Sequence, residues 1–441
     1  MNRGFYNRLV SLFVFLSTFL WIASFSACSN KVLDVEAEGQ AELADDDLSL
    51  SVKNSLVSES SSKSDYPSSF KPDDKEYPYA GIPRVVIETE YRQAINDRET
   101  EIPAKLQIWG ESESESEIMD LTIRGRGNSS WSYPKKPYAI KFETKQSFLG
   151  MAEAKKWVML ANYRDRTLIR NAVAFELARK TSLEWTPSGK FVDVILNGEF
   201  QGNYYICEKI EVKKNRLNLN EDSFLLEFDK NPSDDIKFKT LYNDFPVNIK
   251  YPKEADSVQL GNIKDFVDSA EKKLQLDSND VAYLDYIEQN SFAAYFIVNA
   301  LSTNTEILNP KSVYMYKNND GKLTAGPVWD FDYATFVLNK SFSPIKKSTI
   351  FKNFFNKTSF KSSVQKEWNE NKNALKEIDS FIDSLSDYIK LSNEQNIKLW
   401  PIKINVDKAG DEEKDFDEAI ELMKKGLRKK MNEIDNYASS I

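Results

Sequence analysis

The sequence predicts an α+β fold with a β-rich N-terminal part and a mainly helical C-terminal part. Strand-like alternation and a hairpin signal are concentrated in residues 83–229, whereas apolar residues recur at helical spacing through most of the second half. Residues 79–441 hold nearly all the Trp, Tyr and Phe residues, and a chain of that length can bury a sizeable core. These residues are therefore predicted to form the folded domain.

Alternating apolar and polar residues predict the strands of the first part. Asn197-Gly198 is the strongest short hairpin signal, although the nearby Gln201-Gly202 suggests a longer connection before the next strand. A helix is expected over 168–180, where Ile169, Val173 and Leu177 lie on roughly one face. The predicted strands are 83–89, 104–109, 138–142, 190–196, 204–210 and 223–229.

The second half is expected to consist mostly of helices with one hairpin. Apolar residues recur at helical spacing over 263–274, and 287–301 is apolar enough to be a buried helix. The hairpin comprises 312–317, a turn at 318–321, and 322–328. From Phe416 to Ile434 an apolar stripe predicts a long amphipathic helix that closes the core.

The N-terminus has the layout of a bacterial lipoprotein signal. Basic residues precede an apolar run that ends at Ser26-Ala27-Cys28, so residues 1–28 are predicted to be a signal peptide and Cys28 the lipidated residue. The alternative is an uncleaved transmembrane anchor. Residues 29–78 are rich in Ser, Asp, Glu and Lys, which predicts a disordered acidic tether. Either reading predicts an extracytoplasmic protein anchored to a membrane at the cell envelope.

Composition excludes several kinds of chemistry. The chain contains no histidine, so a Ser-His-Asp or Cys-His triad and an H-E-x-x-H zinc site are impossible. Asp, Glu, Lys and Arg remain, together with a hard cation such as Mg²⁺, and this inventory suits phosphoryl transfer. A net charge of −9 argues against a nucleic-acid partner. Cys207 is the only cysteine besides Cys28, so the mature protein has no intrachain disulfide.

Two aspartates follow the predicted hairpin in Gly-Pro-Val-Trp-Asp-Phe-Asp. Asp330 and Asp332 are two residues apart, so an extended chain would place both carboxylates on one side, where they could hold a cation. Two turn or capping aspartates are the alternative. Glu306 lies in a polar loop after a predicted buried helix, and this order of helix, loop carboxylate, hairpin and Asp-Phe is the order found in protein kinases. That is an analogy of order alone.

A glycine-containing basic segment precedes the strand 138–142. Gly125 and Gly127 permit close backbone approach, and the segment offers hydroxyls and cations that a phosphate could contact. Lys141 lies mid-strand, on the face opposite to Ile140 and Phe142. The alternative is a solvated surface turn. The candidate phosphate ligands are Arg126, Asn128, Ser129, Ser130, Lys136 and Lys141.

From Gly81 to the C-terminal helix the chain resembles the spore coat protein H (CotH) kinases, which are atypical secreted or surface-associated protein kinases. The resemblance rests on motifs that occur in the family's order. They are RGRGNSSW at 124–131, KKPYAIKF at 135–142, WVMLANYRDRTLIRNAVAFELAR at 157–179, NGEFQGNYYICEKI at 197–210, LLEFDK at 225–230 and DGKLTAGPVWDFD at 320–332.

The resemblance implies a two-lobed kinase-like fold that uses ATP and Mg²⁺ (or Mn²⁺) to phosphorylate Ser or Thr in proteins. Lys141 would then contact the phosphates, and the 126–136 segment would cover the nucleotide. Asp330 would hold the metal, with Asp332 beside it. Glu176 and Glu208 are the competing partners of Lys141. Glu306 stands where the family pattern has aspartate, and Ser312 where many members have asparagine.

Two other functions remain open from the sequence. The chain could be a catalytically silent surface module that binds a protein or a polysaccharide. Two features favour this reading: the glutamate at 306 in place of the family's aspartate, and the lipid tether. It could also be a glycosidase that pairs Asp330 with Glu208 or Glu227, since aromatic residues make up 12% of the chain and can bind sugars.

Overall fold

The computed structural model describes residues 65–276, 280–401 and 409–441, and it confirms the α+β prediction. The predicted signal peptide, Cys28 and most of the predicted tether lie outside the described residues. The last part of the tether segment packs against the domain: Phe70 is buried against Val86 and Ile195, and Asp74 forms an ion pair of 2.5 Å with Arg84.

Seven strands form a closed barrel in the first half. Neighbours in the order β1-β2-β3-β4-β5-β7-β6 pair antiparallel, and a parallel pairing of β1 with β6 closes the barrel. Alternate residues point inward, so that Leu106, Ile123, Phe142 and Trp157 fill the interior. The strands are β1 (Arg84–Thr89), β2 (Ile102–Trp109), β3 (Met119–Gly125), β4 (Tyr138–Phe148), β5 (Met151–Leu160), β6 (Gly189–Leu196) and β7 (Glu199–Glu208).

The hairpin between β6 and β7 is confirmed, but the longer connection is wrong. Leu196 pairs directly with Glu199 across a two-residue turn in which Asn197 and Gly198 have φ of 54° and 80°, as a type I′ turn requires. Gly202, with φ of 84°, belongs to an irregularity inside the strand pairing, where the register shifts. Strand β5 was also missed, because its run of Glu and Lys residues hides the alternation.

The second half is mainly helical, as predicted, and it also contains a second, five-stranded sheet with two strands that the sequence analysis missed, Lys237–Lys239 and Pro246–Tyr251. The order of this sheet is β12-β11-β8-β10-β9, with antiparallel neighbours throughout. The predicted later hairpin is confirmed as β11 and β12. The strands are β8 (Leu225–Phe228), β9 (Lys237–Lys239), β10 (Pro246–Tyr251), β11 (Val313–Lys317) and β12 (Leu323–Ala325).

Helices pack around the second sheet in one continuous apolar core that also includes α1. The helix α3 is buried all round from Ser291 to Ser302, and the predicted stripe of α7 faces the core as expected. The described helices contain no segment with the length and hydrophobicity of a membrane span. They are α1 (Arg170–Arg179), α2 (Ser257–Leu276), α3 (Gln289–Ser302), α4 (Ser343–Lys346), α5 (Thr358–Lys376), α6 (Ile378–Leu399) and α7 (Phe416–Ala438).

Two helical glycines provide a matched test of the packing of α7. A Cβ at Gly426 would lie 2.6 Å from the backbone oxygen of Phe336, whereas a Cβ at Gly261 in α2 would meet nothing within 4 Å. Gly426→Ala should lower the free energy of unfolding by about 1–3 kcal/mol, because overpacking outweighs the helix propensity of alanine. Gly261→Ala should raise it by about 0.5–1 kcal/mol. Urea unfolding measures both, and equal effects of the two substitutions would contradict the close packing of α7.

Candidate active site

Three predicted carboxylates converge around one lysine. Lys311 Nζ lies 3.6 Å from Glu306 Oε1 and 3.8 Å from Asp330 Oδ2, and the negative charge of Asp332 also helps to raise the pKa of Lys311. Glu306 and Asp330 are about a quarter to a third exposed, so the cluster opens to solvent. The structure therefore brings together residues that lie more than twenty positions apart, as the kinase-like order predicted.

Mutual repulsion and burial perturb the protonation of the cluster. Burial, then the negative charge of Asp330, raises the pKa of Glu306. Burial, followed by Asp330 and Asp165, raises the pKa of Asp332 to about 7. Burial alone would lower the pKa of Lys311, but the surrounding carboxylates outweigh it and raise that pKa. The positive charge of Lys311 therefore offsets the repulsion among these carboxylates.

Local hydrogen bonds orient the carboxylates. The backbone N–H of Glu306 donates to Asn304 Oδ1 at 3.0 Å, just before a short 3₁₀ turn at Glu306–Leu308. Ser312 Oγ donates to Asp330 Oδ2 at 3.2 Å, and Asp330 itself has φ of 69°. A non-glycine residue in the left-handed region is uncommon and often lies at a functional site.

Helix α1 holds the segment that carries Asp330. The backbone N–H of Phe331 donates to Asn171 Oδ1 at 2.8 Å, and the Trp329 ring stacks on Phe175 at 5.8 Å. Both partners are buried residues of α1. The orientation of the two aspartates thus depends on contacts with a helix about 160 positions earlier in the chain.

Two further carboxylates lie at the end of β8, and the sequence analysis missed one of them. Glu227 accepts hydrogen bonds from Tyr314 Oη at 3.0 Å and Lys250 Nζ at 3.3 Å. Asp229 accepts from backbone N–H groups of Asn231 and Ser312, and burial raises its pKa. Glu227 and Asp229 are two residues apart near the end of a predicted strand, as are Asp330 and Asp332. This shared spacing is the sequence signal that could have indicated Asp229.

The basic segment meets the aspartate segment at two places. The Arg126 guanidinium lies 5.9 Å from the centre of the Trp329 ring. Arg164, which the sequence analysis missed, lies between the rings of Tyr133 and Tyr333 at 5.3 and 4.6 Å and donates to Tyr133 Oη at 2.7 Å. The two segments are therefore neighbours, directly through Arg126 and Trp329 and indirectly through Arg164.

The polar residues of the basic segment mainly stabilise its own loop. Asn128 Oδ1 accepts from Arg98 at 3.0 Å, and Lys136 Nζ donates to the backbone oxygen of Trp131 at 2.7 Å. Ser129 is exposed at the start of a 3₁₀ turn, Ser129–Ser132. Ser130 packs so close to Gly127 that a Cβ at that glycine would collide with its hydroxyl.

Lys141 and its two predicted partners lie in different surroundings. Lys141 is exposed on the outer face of β4, opposite Lys156 on β5, because Ile140 and Phe142 fill the barrel interior. Glu208 instead pairs with Arg216, and burial raises the pKa of Glu208.

Glu176 pairs with Arg179 at 3.0 Å on its own helix. The predicted ion pair of Lys141 with Glu176 or Glu208 is therefore wrong in this structure. The catalytic and nucleotide-binding roles of all three residues stay predictions.

The described residues show two adjacent candidate ligands for a cation rather than a complete set. Within 65–276, 280–401 and 409–441, no three Asp, Glu or Cys side chains are grouped as metal ligands. Asp330 and Asp332 would fit a Mg²⁺ ion that keeps several waters and takes one or two carboxylates from the protein.

The fold and the site define an α+β protein in which a closed barrel and a second sheet with helices surround a carboxylate-rich, histidine-free site. The family model described as CotH kinase protein matches residues 123–434, which is most of the chain. The chain belongs to the CotH kinase family and is kinase-like, as the resemblance implied. A comparison with curated proteins finds no match.

Removal of the central lysine should destabilise the domain in a pH-dependent way. Lys311→Gln removes the ammonium that pairs with Glu306 and Asp330, so we expect the free energy of unfolding to fall by about 1–3 kcal/mol at pH 8. The loss should shrink at pH 5, because Asp332, with a pKa near 7, and Glu306, with a raised pKa, then take up protons more readily. Denaturant unfolding at both pH values measures this.

The matched control is Lys390→Gln, which breaks an exposed ion pair of 2.7 Å with Asp417. Exposed surface pairs contribute little, so its effect on the free energy of unfolding should be too small to resolve at either pH. A Lys311→Gln effect as small as that of the control would contradict the role of Lys311.

Proposed function

We propose that this protein transfers the γ-phosphoryl group of ATP, with Mg²⁺ or Mn²⁺, to Ser or Thr residues of a protein substrate. The observation that carries the proposal is the convergence of Glu306, Asp330 and Asp332, next to a segment that brings Arg126 to Trp329. Phosphoryl transfer depends on positioning and on charge stabilisation, which carboxylates, a bound cation and basic side chains can supply without histidine.

Each residue is given a role that its surroundings support. Asp330 and Asp332 would hold the metal, and Glu306 would accept the proton of the substrate hydroxyl. A raised pKa suits Glu306 for that task, since a general base works best with a pKa closer to the operating pH. Arg126 is the predicted phosphate ligand that contacts the aspartate segment, whereas Lys141 would reach the phosphates from the outer barrel face.

The two-lobed arrangement is also part of the proposal. The barrel would form the N-terminal lobe, and the second sheet with α2 to α7 would form the C-terminal lobe. Two features support this division. One apolar core fills the barrel interior, and a second lies outside the barrel among the second sheet, its helices, α1 and outer barrel residues such as Phe191 and Tyr205. The site residues come from both parts. The nucleotide would lie where the 126–136 segment approaches the 329–333 segment.

Localisation and partners follow from the sequence alone. We propose a lipid anchor at Cys28 that holds the protein outside the cytoplasmic membrane, where it would meet a protein substrate or a surface-assembly partner and no nucleic acid. The support is the signal-like layout of residues 1–28 and the net charge of −9.

A catalytically silent surface module is the second candidate, and Lys311 favours it. The ammonium of Lys311 already lies between Glu306 and Asp330. It therefore competes electrostatically with a divalent cation for the same carboxylates. A module of this kind would bind its protein or polysaccharide partner without turnover.

Phosphate incorporation from radiolabelled ATP by the full-length protein tests the enzymatic proposal. We expect Mg²⁺-dependent incorporation into the protein itself or an added acceptor, with losses of at least about a hundredfold in Asp330→Asn and Arg126→Gln, since both remove charge stabilisation of the transferred group. The control, Asp417→Asn, changes an aspartate that is 66% exposed and should keep full activity. An inactive wild-type protein that still binds its partner would favour the silent module.

Thermal unfolding separates nucleotide binding from turnover. Binding to the native state raises its stability, by about 2.7 kcal/mol at a hundredfold excess over Kd. We expect ATP with Mg²⁺ to raise the Tm of the wild type and of Asp417→Asn alike. In Asp330→Asn the metal-dependent part of the increase should disappear. The same shift in all three proteins would contradict a metal site at Asp330.

A further inference from the structure

A lysine-rich segment follows the acidic site, although the chain as a whole is acidic. Between Asp332 and Glu367 there is no Asp or Glu, in a protein with a net charge of −9. This segment packs as α4, a short 3₁₀ turn at Phe354–Asn356 and the start of α5. Its lysines are Lys340, Lys346, Lys347, Lys352, Lys357, Lys361 and Lys366.

Four of these lysines line one cavity of about 540 Å³, together with the rings of Phe355 and Tyr437. Asn353, Asn356 and Ile441 complete the lining, which contains no Asp or Glu side chain. The volume lies within the range typical of small-molecule sites. The four, Lys346, Lys347, Lys352 and Lys361, are called the lysine pocket below.

The charges of the lysine pocket are not neutralised by the protein. In the part of the chain that the structure describes, none of the four lysines forms an ion pair, although many lysines elsewhere do. Burial, then the positive charges of Lys347 and Lys361, lowers the pKa of Lys346. Like charges held this close repel one another, so an anion that enters the pocket relieves that repulsion.

Aromatic rings hold the innermost ammonium in place. Lys346 Nζ lies 4.1 Å from the centre of the Tyr437 ring, 5.8 Å from Phe342 and 5.9 Å from Phe355. These cation–π contacts come from three different elements and orient the ammonium without a carboxylate. The ammonium of Lys346 is therefore preorganised, which lowers the entropic cost of binding an anion there.

We propose that the lysine pocket binds a compact ligand that carries two or more phosphate groups. Each phosphate monoester carries about 1.5 to 2 negative charges at pH 7, so two or three would balance four ammonium groups. Lysine is a point charge that suits phosphate, whereas planar carboxylates are recognised best by arginine, and no arginine lines the pocket. The proposal is independent of the proposed kinase activity, because it involves none of the site's carboxylates.

Titration calorimetry of the full-length protein with inorganic tripolyphosphate in EDTA tests the proposal. We expect saturable binding that weakens at least tenfold in Lys346→Gln/Lys361→Gln. The control variant Lys366→Gln/Lys390→Gln removes the same charge from exposed lysines paired with Glu370 and Asp417, and it should bind like the wild type. Asp330→Asn should also bind normally. An undetectable affinity in the wild type, or equal losses in both double variants, would overturn the proposal.

Two further arms identify the source of the phosphates and the selectivity. The first arm measures binding of the protein to phosphatidylglycerol vesicles. If that binding requires the pocket lysines and tripolyphosphate displaces the vesicles, the phosphate source is a lipid headgroup. Binding of tripolyphosphate without any vesicle binding would identify a soluble ligand. A polyglutamate peptide of equal charge should bind at least tenfold more weakly, and equal affinity for the peptide would overturn phosphate selectivity.

Chemical labelling gives a readout that does not depend on variants. Tripolyphosphate should slow the acetylation of Lys346, Lys347, Lys352 and Lys361 by acetic anhydride, as measured by mass spectrometry, and leave Lys366 unchanged within the same molecule. Protection of Lys366 to the same extent would show that tripolyphosphate binds non-specifically, and it would contradict the proposal.

Discussion

The buried helix α1 is the element on which the position of Asp330 and Asp332 depends. Its first residue, Arg170, pairs with Asp165 and Asp411 at 2.5 Å each, and all three are buried. The next residue, Asn171, holds the backbone of the segment 329–333, and Phe175, further along the helix, stacks on its tryptophan. A charged network buried in this way is costly to break, because each lost partner leaves an unpaired charge in a low dielectric. The position of Asp330 and Asp332 is therefore tied to the integrity of the core.

Electrostatic repulsion is the second constraint, and it shapes what the site can do. In a protein without histidine, carboxylates supply most acid, base and metal chemistry. Glu306, Asp330 and Asp332 lie close together near Lys311, and burial, followed by the charge of Asp330, raises the pKa values of Glu306 and Asp332. In the proposed function, the same group of carboxylates would hold a divalent cation in competition with Lys311, and Glu306 would act as the base.

Acidic and basic residues occupy separate, neighbouring stretches of the chain near the site. The acidic site ends at Asp332, and the lysine-rich segment begins at Lys340. Among the described residues, four of its lysines line one cavity without forming an ion pair. Stability alone would favour pairing those lysines with some of the many surface carboxylates. Their separation from acidic groups is the physical reason for assigning the cavity a phosphate ligand.

The sequence by itself determined the features that depend on neighbours in the chain. Periodicity predicted α1, α3 and α7, the Asn197-Gly198 turn predicted its hairpin, and the missing histidine confined the chemistry to carboxylates and cations. Only the tertiary structure decided which charges meet. It turned Lys141 to the outer barrel face, paired Glu208 with Arg216, and brought Lys311 and Arg126 to the aspartate segment. Ion-pair partners are chosen through space between distant parts of the chain, and strand alternation assigns faces without saying which distant group will cover them.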